Sequence, residues 1–197
     1  MSSSPPAQNT AETRAELRRI SIARREALSA PARVALTVHL CAHLEILLGK
    51  LAPTCLAFCW PHRGEPDLRA LMRAWLAGGK ARGAALPVVL DRQKALAFRA
   101  WTPQTDLVVD RYGIPHPPDG AFVEPDCVLV PLNAFDARGY RLGYGGGYFD
   151  RTLARSTAIA IGVGFELGRF DTVLPQTHDR PMDWIVTEQG VFRSGDR

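Results

Sequence analysis

Several protein classes are disfavoured by what this sequence lacks. It has no uninterrupted apolar run near the roughly 18 residues of a membrane-spanning segment, so we expect no membrane partner. The first residues contain no apolar stretch of the kind found in secretory signals, which favours a cytoplasmic protein. Cysteine is scarce, with neither a CxxC pair nor a zinc-ligand spacing to histidine. We predict buried, free thiols of a cytosolic protein at Cys41, Cys55, Cys59 and Cys127.

Lysine is also scarce, because it occurs only at positions 50, 80 and 94, and arginine supplies most of the positive charge. The formal net charge of +4 suits many ligands, including nucleotides, and singles out none. With 197 residues, 46% of them hydrophobic, the chain is long enough for one domain with its own core. We predict a disordered Ser- and Pro-rich tail over residues 1–10 and a single domain over 11–197. We expect a monomer, with a dimer as the alternative.

Apolar strands alternate with amphipathic helices along the chain, which favours an α/β domain with a covered, largely parallel sheet. Ser29 and Pro31 are typical of a helix start and separate the first two helices. The predicted helices run over 13–28, from the Ser29 cap to Gly49, from 65–67 to Gly78, and over 148–155. The predicted strands are 54–60, 85–90, 95–101, 126–130, 158–164 and, as the last, 184–187.

The most informative segment runs from a predicted buried strand into the glycine-rich loop 143–147 and then into a helix. Glycines let backbone N–H groups converge on one point, and the start of a helix adds further unpaired N–H groups. These features, with Arg141 beside them, predict a phosphate cradle; a tight turn without a ligand is the alternative. The segment lacks GK[ST], which excludes a Walker P-loop, and Tyr148 breaks the GxGxxG pattern.

Two carboxylates are candidate ligands of Mg²⁺. Asp150 lies just inside the helix predicted after the loop, and Asp179 follows His178 in a later turn. Mg²⁺ typically takes one or two protein carboxylates and leaves its other positions to phosphate and water. Alternatively, Asp150 stabilises the helix dipole and Asp179 is a turn residue.

Charged and aromatic residues elsewhere have two interpretations each. Arg14, Arg18 and Arg25 share one face of the first helix, either as arms that reach phosphates or as a solvated basic face. Glu65 follows a strand, where open α/β sheets bind ligands, unless it is only an acid of the first helical turn. Trp60 either stacks on a flat heterocycle or belongs to the core.

The segment AFDARGYRLGYGGGYFDR resembles the 5-formyltetrahydrofolate cyclo-ligases, also called 5,10-methenyltetrahydrofolate synthetases. Supporting stretches, in matching order and spacing, are RAELRRISIARREALS, FCWPHRGEPDL, FRAW, YGIP and LPQTHDRPMDWIVTE. The resemblance covers roughly residues 13–192 and implies a three-layer Rossmann-like α/β sandwich with a largely parallel central sheet. It also implies a cytosolic enzyme of folate one-carbon metabolism, which uses Mg-ATP to convert 5-formyltetrahydrofolate to 5,10-methenyltetrahydrofolate and releases ADP and phosphate.

In the implied reaction the formyl oxygen is phosphorylated, and N10 of the folate then attacks the formyl carbon and displaces phosphate. Phosphoryl transfer asks mainly for positioning and charge neutralisation, so no protein nucleophile is needed. The resemblance implies catalytic roles for Arg141, Tyr148 and Asp150, substrate contacts at Trp60, Glu65 and Tyr148, and magnesium ligation by Asp150 and Asp179. The implied ATP contacts are Arg14, Arg18, Arg141, Leu142, Gly143, Tyr144, Gly145, Gly146, Gly147, Tyr148 and Phe149.

The chain departs from the family pattern in its basic residues. Arg14 stands where many members carry lysine, and Tyr144 and Gly146 stand where some members carry Arg and Lys. The phosphate contacts that those members make with this Arg and Lys must come from other residues here, and Arg138 and Arg151 are the candidates.

Two other functions fit parts of the sequence. A phosphoester enzyme with a similar layered sheet, such as a sugar-phosphate isomerase, would need no ATP. A nucleotide or nucleic-acid binding module fits the arginine-rich first helix, but that basic run has no interleaved aromatic residues for base stacking. We therefore expect a small-molecule folate substrate and no nucleic-acid partner.

Overall fold

The computed structural model describes residues 7–79 and 82–194 of the chain, with side chains from residue 13 onward. Its helices are α1 Ala7–Glu26, α2 Ala30–Leu51, α3 Arg69–Ala77 and α4 Tyr148–Leu153. Its strands are β1 Cys55–Ala57, β2 Gly83–Val88, β3 Ala97–Ala100, β4 Val108–Val109, β5 Pro115–His116, β6 Cys127–Pro131, β7 Ala134–Phe135, β8 Arg141–Leu142, β9 Ile159–Val163, β10 Trp184–Thr187 and β11 Gly190–Arg193.

Seven strands form the central sheet, in the order β11-β10-β9-β6-β1-β2-β3. The neighbours from β10 to β2 pair in parallel, and only the edge strands β3 and β11 pair antiparallel. This arrangement confirms the predicted α/β class with a largely parallel sheet. Parallel strands are joined by long crossovers, which are usually helices, and these helices cover the faces of the sheet. The strands are therefore buried on both faces, and their sequences are apolar runs.

Two apolar clusters fill the spaces above and below the sheet. Alternation along each strand sends Leu56 to one face and Ala57 to the other, and likewise Leu129 and Val130. One cluster packs beneath α2 and α3, and the other beneath α4. The result is the predicted three-layer sandwich.

The second helix follows its sequence signals at the start but not at the end. Ser29 caps α2, with its side chain accepting from the Ala32 N–H at 3.3 Å. Gly49 does not end the helix as predicted, because the chain continues to Leu51 and turns only at Ala52, at a φ of +48°. The carbonyl of Leu48 accepts the closing hydrogen bond at 2.9 Å.

Several predicted boundaries are wrong. Residues 7–10, predicted to be part of a disordered tail, belong to α1, and residues 1–6 lie outside the described part of the chain. The loop predicted after β6 contains the antiparallel ribbon β7–β8. Trp184–Thr187 is not the last strand, because β11 pairs back onto it. Two-residue strands and a final hairpin carry too little periodicity to be recognised in a sequence.

By length and composition, α2 passes as a possible membrane-crossing helix within the described residues. One side of it is apolar and packs on the sheet, where α2 meets β10 and β11. The leucines buried on that side are Leu40, Leu44, Leu47 and Leu48. This packing is that of a helix in a domain core, although the opposite side also exposes Val34, Val38 and Ile46.

Candidate active site

The topological switch point of the sheet lies at its carboxyl edge between β1 and β6, and we call this position the crevice. The chain passes from β1 to β2 on one side, whereas β6 lies on the other side of β1. The loops leaving β1 and β6 therefore diverge, and open α/β sheets bind their ligands at such switch points. Residues 58–65 follow β1, and Asn133 lies just beyond the end of β6.

The arginine face of α1 is turned toward this edge of the sheet. Arg14 and Arg25 are only 6% and 2% exposed. Arg18 donates from Nε to the carbonyl oxygen of Gly143 at 3.0 Å. By contrast, Arg19 is exposed and pairs with a glutamate of its own helix. The alternative of a solvated basic face is therefore wrong for the three arginines predicted to act together.

Arg14 and Asp179 form a buried and fully paired salt bridge. Two guanidinium nitrogens donate to the two carboxylate oxygens at 2.6 and 3.2 Å, and the Gln176 N–H donates to Oδ2 at 2.7 Å. Burial alone would raise the pKa of Asp179, but the hydrogen bonds and the charge of Arg14 outweigh it and hold that pKa below its ordinary value. Arg14 also donates to the Leu174 carbonyl at 2.7 Å, so the pair fixes this loop against α1.

The glycine loop directly follows the second strand of the β7–β8 ribbon. Arg141 and Leu142 are buried in β8, and the side chain of Leu142 packs in a small apolar cluster below the loop. Gly145 and Gly147 have φ angles of +94° and +66°, in the left-handed region that favours glycine. The predicted turn thus depends on glycine, while an ATP contact at Leu142 stays a prediction.

Arg141 and Asp150 form a second ion pair beside the loop. Arg141 Nη1 donates to Asp150 Oδ1 at 2.9 Å, and the backbone N–H of Arg180 donates to the same oxygen at 3.2 Å. Asp150 therefore lies next to the turn that contains Asp179, so the structure brings the two predicted magnesium carboxylates into one region. Within the described residues, the hydrogen bonds to Asp150 fall on Oδ1, which leaves Oδ2 for a ligand.

These carboxylates fit a magnesium ion in part. Among the described residues, no group of three or more His, Cys, Asp or Glu side chains could hold a metal by itself. Mg²⁺ beside a nucleotide needs only one or two protein carboxylates, because phosphate and water fill its other positions. Asp150 offers an oxygen for this role. Both oxygens of Asp179 already accept hydrogen bonds from Arg14, so direct ligation by Asp179 would require that pair to open.

The two candidate replacements for the missing basic residues differ in position. Arg151 donates to the Gly146 carbonyl at 3.0 Å and stacks over the Tyr148 ring at 5.0 Å, so it lies against the loop. Arg138 instead pairs with the buried Asp136 at 3.0 Å, in the turn between β7 and β8. Arg151 is the better candidate for a phosphate contact, and Arg138 maintains the turn.

Tyr148 and Phe149 begin α4. The Tyr148 hydroxyl lies 2.9 Å from the Tyr112 hydroxyl, and the two rings meet edge to face at 6.2 Å. Phe149 packs, partly buried, against the apolar cluster below α4. The contacts of the described residues place Tyr148 against Tyr112, the first residue of the YGIP stretch, and not against Trp60 or Glu65, where the resemblance implies substrate.

Arg25 spans the crevice between β1 and β6. It donates to the Arg63 carbonyl at 2.9 Å on the β1 side, and to the Leu132 carbonyl at 3.3 Å and Asn133 Oδ1 at 2.9 Å on the β6 side. Sequence reasoning placed Arg25 on the correct helix face but did not identify this bridge. Asn133 was missed altogether, because an uncharged residue outside any motif gives no signal.

Glu65 is the acid of the crevice and is 7% exposed. Its Oε1 accepts from the Tyr144 hydroxyl at 2.7 Å, and its Oε2 accepts from the His62 N–H at 3.0 Å. Burial raises the pKa of Glu65 above its ordinary value, and the charge of Arg25 with these hydrogen bonds offsets only part of that effect. Glu65 is not an acid of the first helical turn, because α3 begins at Arg69.

Trp60 lies partly buried at the margin of the core. Its ring meets Trp101 edge to face at 6.4 Å, and the Arg69 guanidinium lies 5.0 Å from the ring centre. It packs against the cluster beneath α2 and α3. These packing contacts account for the partial burial of the Trp60 ring, and stacking of the ring on a substrate stays a prediction.

Comparison with known proteins identifies relatives along most of the chain. The model of the 5-formyltetrahydrofolate cyclo-ligase family matches residues 10–188. The 5-formyltetrahydrofolate cyclo-ligase of Escherichia coli strain K12 is 40% identical over 139 residues, which cover 66% of this chain and 75% of that protein. The protein of the same name from Haemophilus influenzae is 30% identical over 129 residues, covering 60% and 67%.

Solved structures agree with this relationship. The NMR structure of Aquifex aeolicus 5,10-methenyltetrahydrofolate synthetase superposes with a TM-score of 0.81 at 32% identity, covering 93% of this chain and 94% of that one. The synthetase from Mycoplasma pneumoniae superposes with a TM-score of 0.70 and covers 89% and 98%, and at 23% identity it supports the fold alone. The matched region includes the crevice, the glycine loop and the arginine face of α1, and the chain therefore belongs to the 5-formyltetrahydrofolate cyclo-ligase family.

Proposed function

We propose that the glycine loop, with Arg14, Arg18 and Arg141, holds the triphosphate of ATP, and that Asp150 holds the accompanying Mg²⁺. The enzyme converts 5-formyltetrahydrofolate to 5,10-methenyltetrahydrofolate, and its family is ATP-dependent. One observation carries the proposal: Arg18 holds the Gly143 carbonyl while Arg141 holds Asp150, so two arginines and a carboxylate meet at the glycine loop.

Bound Mg-ATP supplies the phosphoryl group that turns the formyl oxygen of the substrate into a leaving group, so that N10 can close the ring. The residues of the chain supply position and positive charge. A guanidinium has about five N–H donors in a rigid fork, and Asp150 takes one of those of Arg141, so Arg141 is oriented before phosphate arrives. Donors oriented in advance need no reorganisation during the reaction, which is the main source of their effect on rate.

On the substrate side, we assign Glu65 and Trp60 to the folate. A buried carboxylate with unused acceptor positions suits the N–H groups of a pterin ring, and a half-buried indole suits its flat face. Tyr148 begins α4 directly after the loop, which supports its assignment to the junction of nucleotide and substrate.

The reaction is tested by mixing the purified protein with 5-formyltetrahydrofolate and following the near-ultraviolet absorbance of the methenyl product. We expect product only when ATP and Mg²⁺ are both present, with ADP released alongside it. Product formed without ATP, or with ATP in the presence of a magnesium chelator, would contradict the cofactor assignment.

The arginine assignment is tested with two neighbours on α1. Arg18→Ala should raise the KM for Mg-ATP by about tenfold or more, because it removes a charged contact at the loop. Arg19→Ala is the matched control, since Arg19 is exposed and pairs only with its own helix. Equal effects in the two variants would show that the loss is not specific to the site.

The remaining assignments concern partners and location. We assign a monomer in the cytoplasm with a folate as its small-molecule substrate. The buried contacts of Arg25 support the absence of a nucleic-acid partner, because this side chain is engaged within the protein. The sugar-phosphate isomerase alternative is set aside by the family.

A further inference from the structure

Tyr144 belongs to the glycine loop by sequence but makes its contacts across the crevice. Its hydroxyl donates to Glu65 Oε1 at 2.7 Å and accepts from Arg25 Nη2 at 2.9 Å. Its ring meets the His62 ring edge to face at 5.5 Å. All three partners lie outside the loop, on α1 and on the segment that follows β1. The side chain therefore connects the nucleotide loop to the substrate side of the site.

The Tyr144 hydroxyl completes a connection that Arg25 does not make directly. Arg25 Nη2 lies 3.8 Å from Glu65 Oε1, which is beyond hydrogen-bond distance. With the phenol between them, the guanidinium polarises the hydroxyl, and the hydroxyl donates to the carboxylate. His62 holds the other oxygen through its backbone N–H at 3.0 Å. The carboxylate is thus fixed at both ends and cannot rotate freely.

The fixed carboxylate keeps acceptor capacity for a ligand. A carboxylate has about four acceptor positions, two on each oxygen. Among the described residues, Tyr144 takes one position on Oε1 and His62 takes one on Oε2. One position remains on each oxygen, and two such positions side by side match two adjacent N–H donors. The 2-amino group and the N3–H of a pterin ring form such a pair.

We propose that Tyr144 is a positioning residue of the substrate pocket, whose hydroxyl holds Glu65 in the orientation that accepts the paired N–H groups of the pterin. The inference rests on the proposed role of Glu65 in substrate binding. It replaces the ATP contact expected of Tyr144 from its place in the loop with a role on the folate side.

Tyr144→Phe tests the proposal, because it removes the hydroxyl and keeps the ring. The KM for 5-formyltetrahydrofolate should rise about five- to tenfold, while kcat and the KM for Mg-ATP stay within about twofold. Tyr140→Phe is the matched control. The Tyr140 ring packs in a small apolar cluster, and its hydroxyl makes no hydrogen bond among the described residues, so all three constants should stay unchanged.

The pH profile distinguishes positioning from simple packing. The hydrogen bond from Tyr144 lowers the pKa of Glu65, so its loss should raise that pKa. Ionised Glu65 is the acceptor, and the acidic limb of kcat/KM for 5-formyltetrahydrofolate should therefore move to higher pH in Tyr144→Phe. The limb should stay in place in Tyr140→Phe.

Three results would overturn the proposal. A raised KM for Mg-ATP with an unchanged KM for 5-formyltetrahydrofolate would return Tyr144 to the phosphate side. Unchanged constants would show that the hydroxyl has no role in binding. A raised folate KM with an unmoved acidic limb would show that the ring position matters and the carboxylate does not.

Glu65→Gln separates failure of this inference from failure of the proposed site. Alone, it should raise the KM for 5-formyltetrahydrofolate about tenfold, and Tyr144→Phe should add nothing in that background, because both changes act on one contact. If Glu65→Gln alone has no effect, the substrate role of Glu65 fails and the inference with it. If both single changes raise the KM and their effects add, the role of Glu65 survives and only the role of Tyr144 falls.

Discussion

Two buried carboxylates face arginines of the same helix, and their environments differ. Asp179 receives hydrogen bonds from Arg14 at 2.6 and 3.2 Å, and its pKa is held below the ordinary value. Glu65 lies 3.8 Å from Arg25, and burial raises its pKa above the ordinary value. A nearby positive charge is common to both, so the stronger effect of burial on Glu65 and the more numerous, direct N–H donors to Asp179 make the difference.

This difference separates a carboxylate that serves the fold from one that is open to a ligand. Both oxygens of Asp179 accept hydrogen bonds, and the Arg14–Asp179 pair joins α1 to the loop that precedes Asp179 in the chain. A ligand that bound this carboxylate would therefore add little stabilisation to its charge. Glu65 meets the charge of Arg25 only through the Tyr144 hydroxyl, and it keeps acceptor positions for further hydrogen bonds. Added N–H donors would therefore stabilise its negative charge. Asp150 is an intermediate case. Its Oδ1 accepts hydrogen bonds from Arg141 and Arg180, and its Oδ2 accepts none among the described residues.

The largest expected effect comes from breaking the closed pair. Arg14→Met keeps the apolar stem of the side chain but leaves Asp179 buried without its partner. We expect the free energy of unfolding to fall by about 3–5 kcal/mol, the usual cost of one orphaned member of a buried pair. Urea denaturation followed by circular dichroism measures it.

The control for this change is Arg19→Met on the exposed side of α1, which should stay within about 0.5 kcal/mol of the parent protein. A loss below about 1 kcal/mol in Arg14→Met would show that the Arg14–Asp179 pair does not stabilise the fold.

Asp150→Ala should act on turnover more than on stability. It removes the proposed magnesium oxygen and the partner that orients Arg141, so kcat should fall about 10²- to 10³-fold. The free energy of unfolding should fall by less than in Arg14→Met. The absorbance assay measures the first quantity and urea denaturation the second.

Asp119→Ala is the matched control, because Asp119 is exposed and lies outside the site. Turnover like that of the parent protein in Asp150→Ala would remove Asp150 from the catalytic machinery. A similar prediction holds for Arg141→Ala, whose side chain makes the other half of the pair.

The smallest expected effect is a pair of opposite pH trends in stability. Asp179 has a lowered pKa, so its contribution is present above the ordinary value of about 3.9 and is lost as the pH falls. Glu65 has a raised pKa, so the folded protein loses stability as the pH rises through its ordinary range and above it. The two groups should therefore respond to acid with opposite signs.

Neutral variants measure these trends by difference. As the pH falls below about 5, the stability gap between the parent protein and Asp179→Asn should narrow, because Asp179 of the unfolded chain takes up protons near its ordinary pKa. Between pH 7 and about 4.5, the parent protein should gain stability relative to Glu65→Gln. Trends of the same sign would contradict the distinction between a closed and an open carboxylate.

Much of the fold could be predicted because its signals are local. The strands are apolar runs in the sequence because both faces of a parallel sheet are buried. Ser29 marks a helix start because its side chain accepts a hydrogen bond from the backbone only three residues further along the chain. The β7–β8 ribbon and β11 could not be predicted, because each is stabilised by partners that a short strand does not encode. The predicted end of α2 at Gly49 was wrong for a related reason, since the helix packs on the sheet and continues to Leu51.

The candidate site divides in the same way. The spacing of Arg14, Arg18 and Arg25 placed them on one face, and the structure confirms that this face is turned inward. The partner of each could not be predicted, because Arg14 meets a residue 165 positions away and Arg18 one 125 positions away. Spacing along a helix defines a direction, and the partner found there depends on the whole chain.

The sequence by itself determined the alternation of helices and strands, the glycine turn and the side of α1 that carries charge, because each depends on neighbours within a few residues. Only the tertiary structure decided that Asp179 is closed by Arg14, and that Tyr144 stands between Arg25 and Glu65. Burial and the count of N–H donors around a carboxylate are properties of the packed chain. The same residue types therefore became a structural pair at one point and an open acceptor at another.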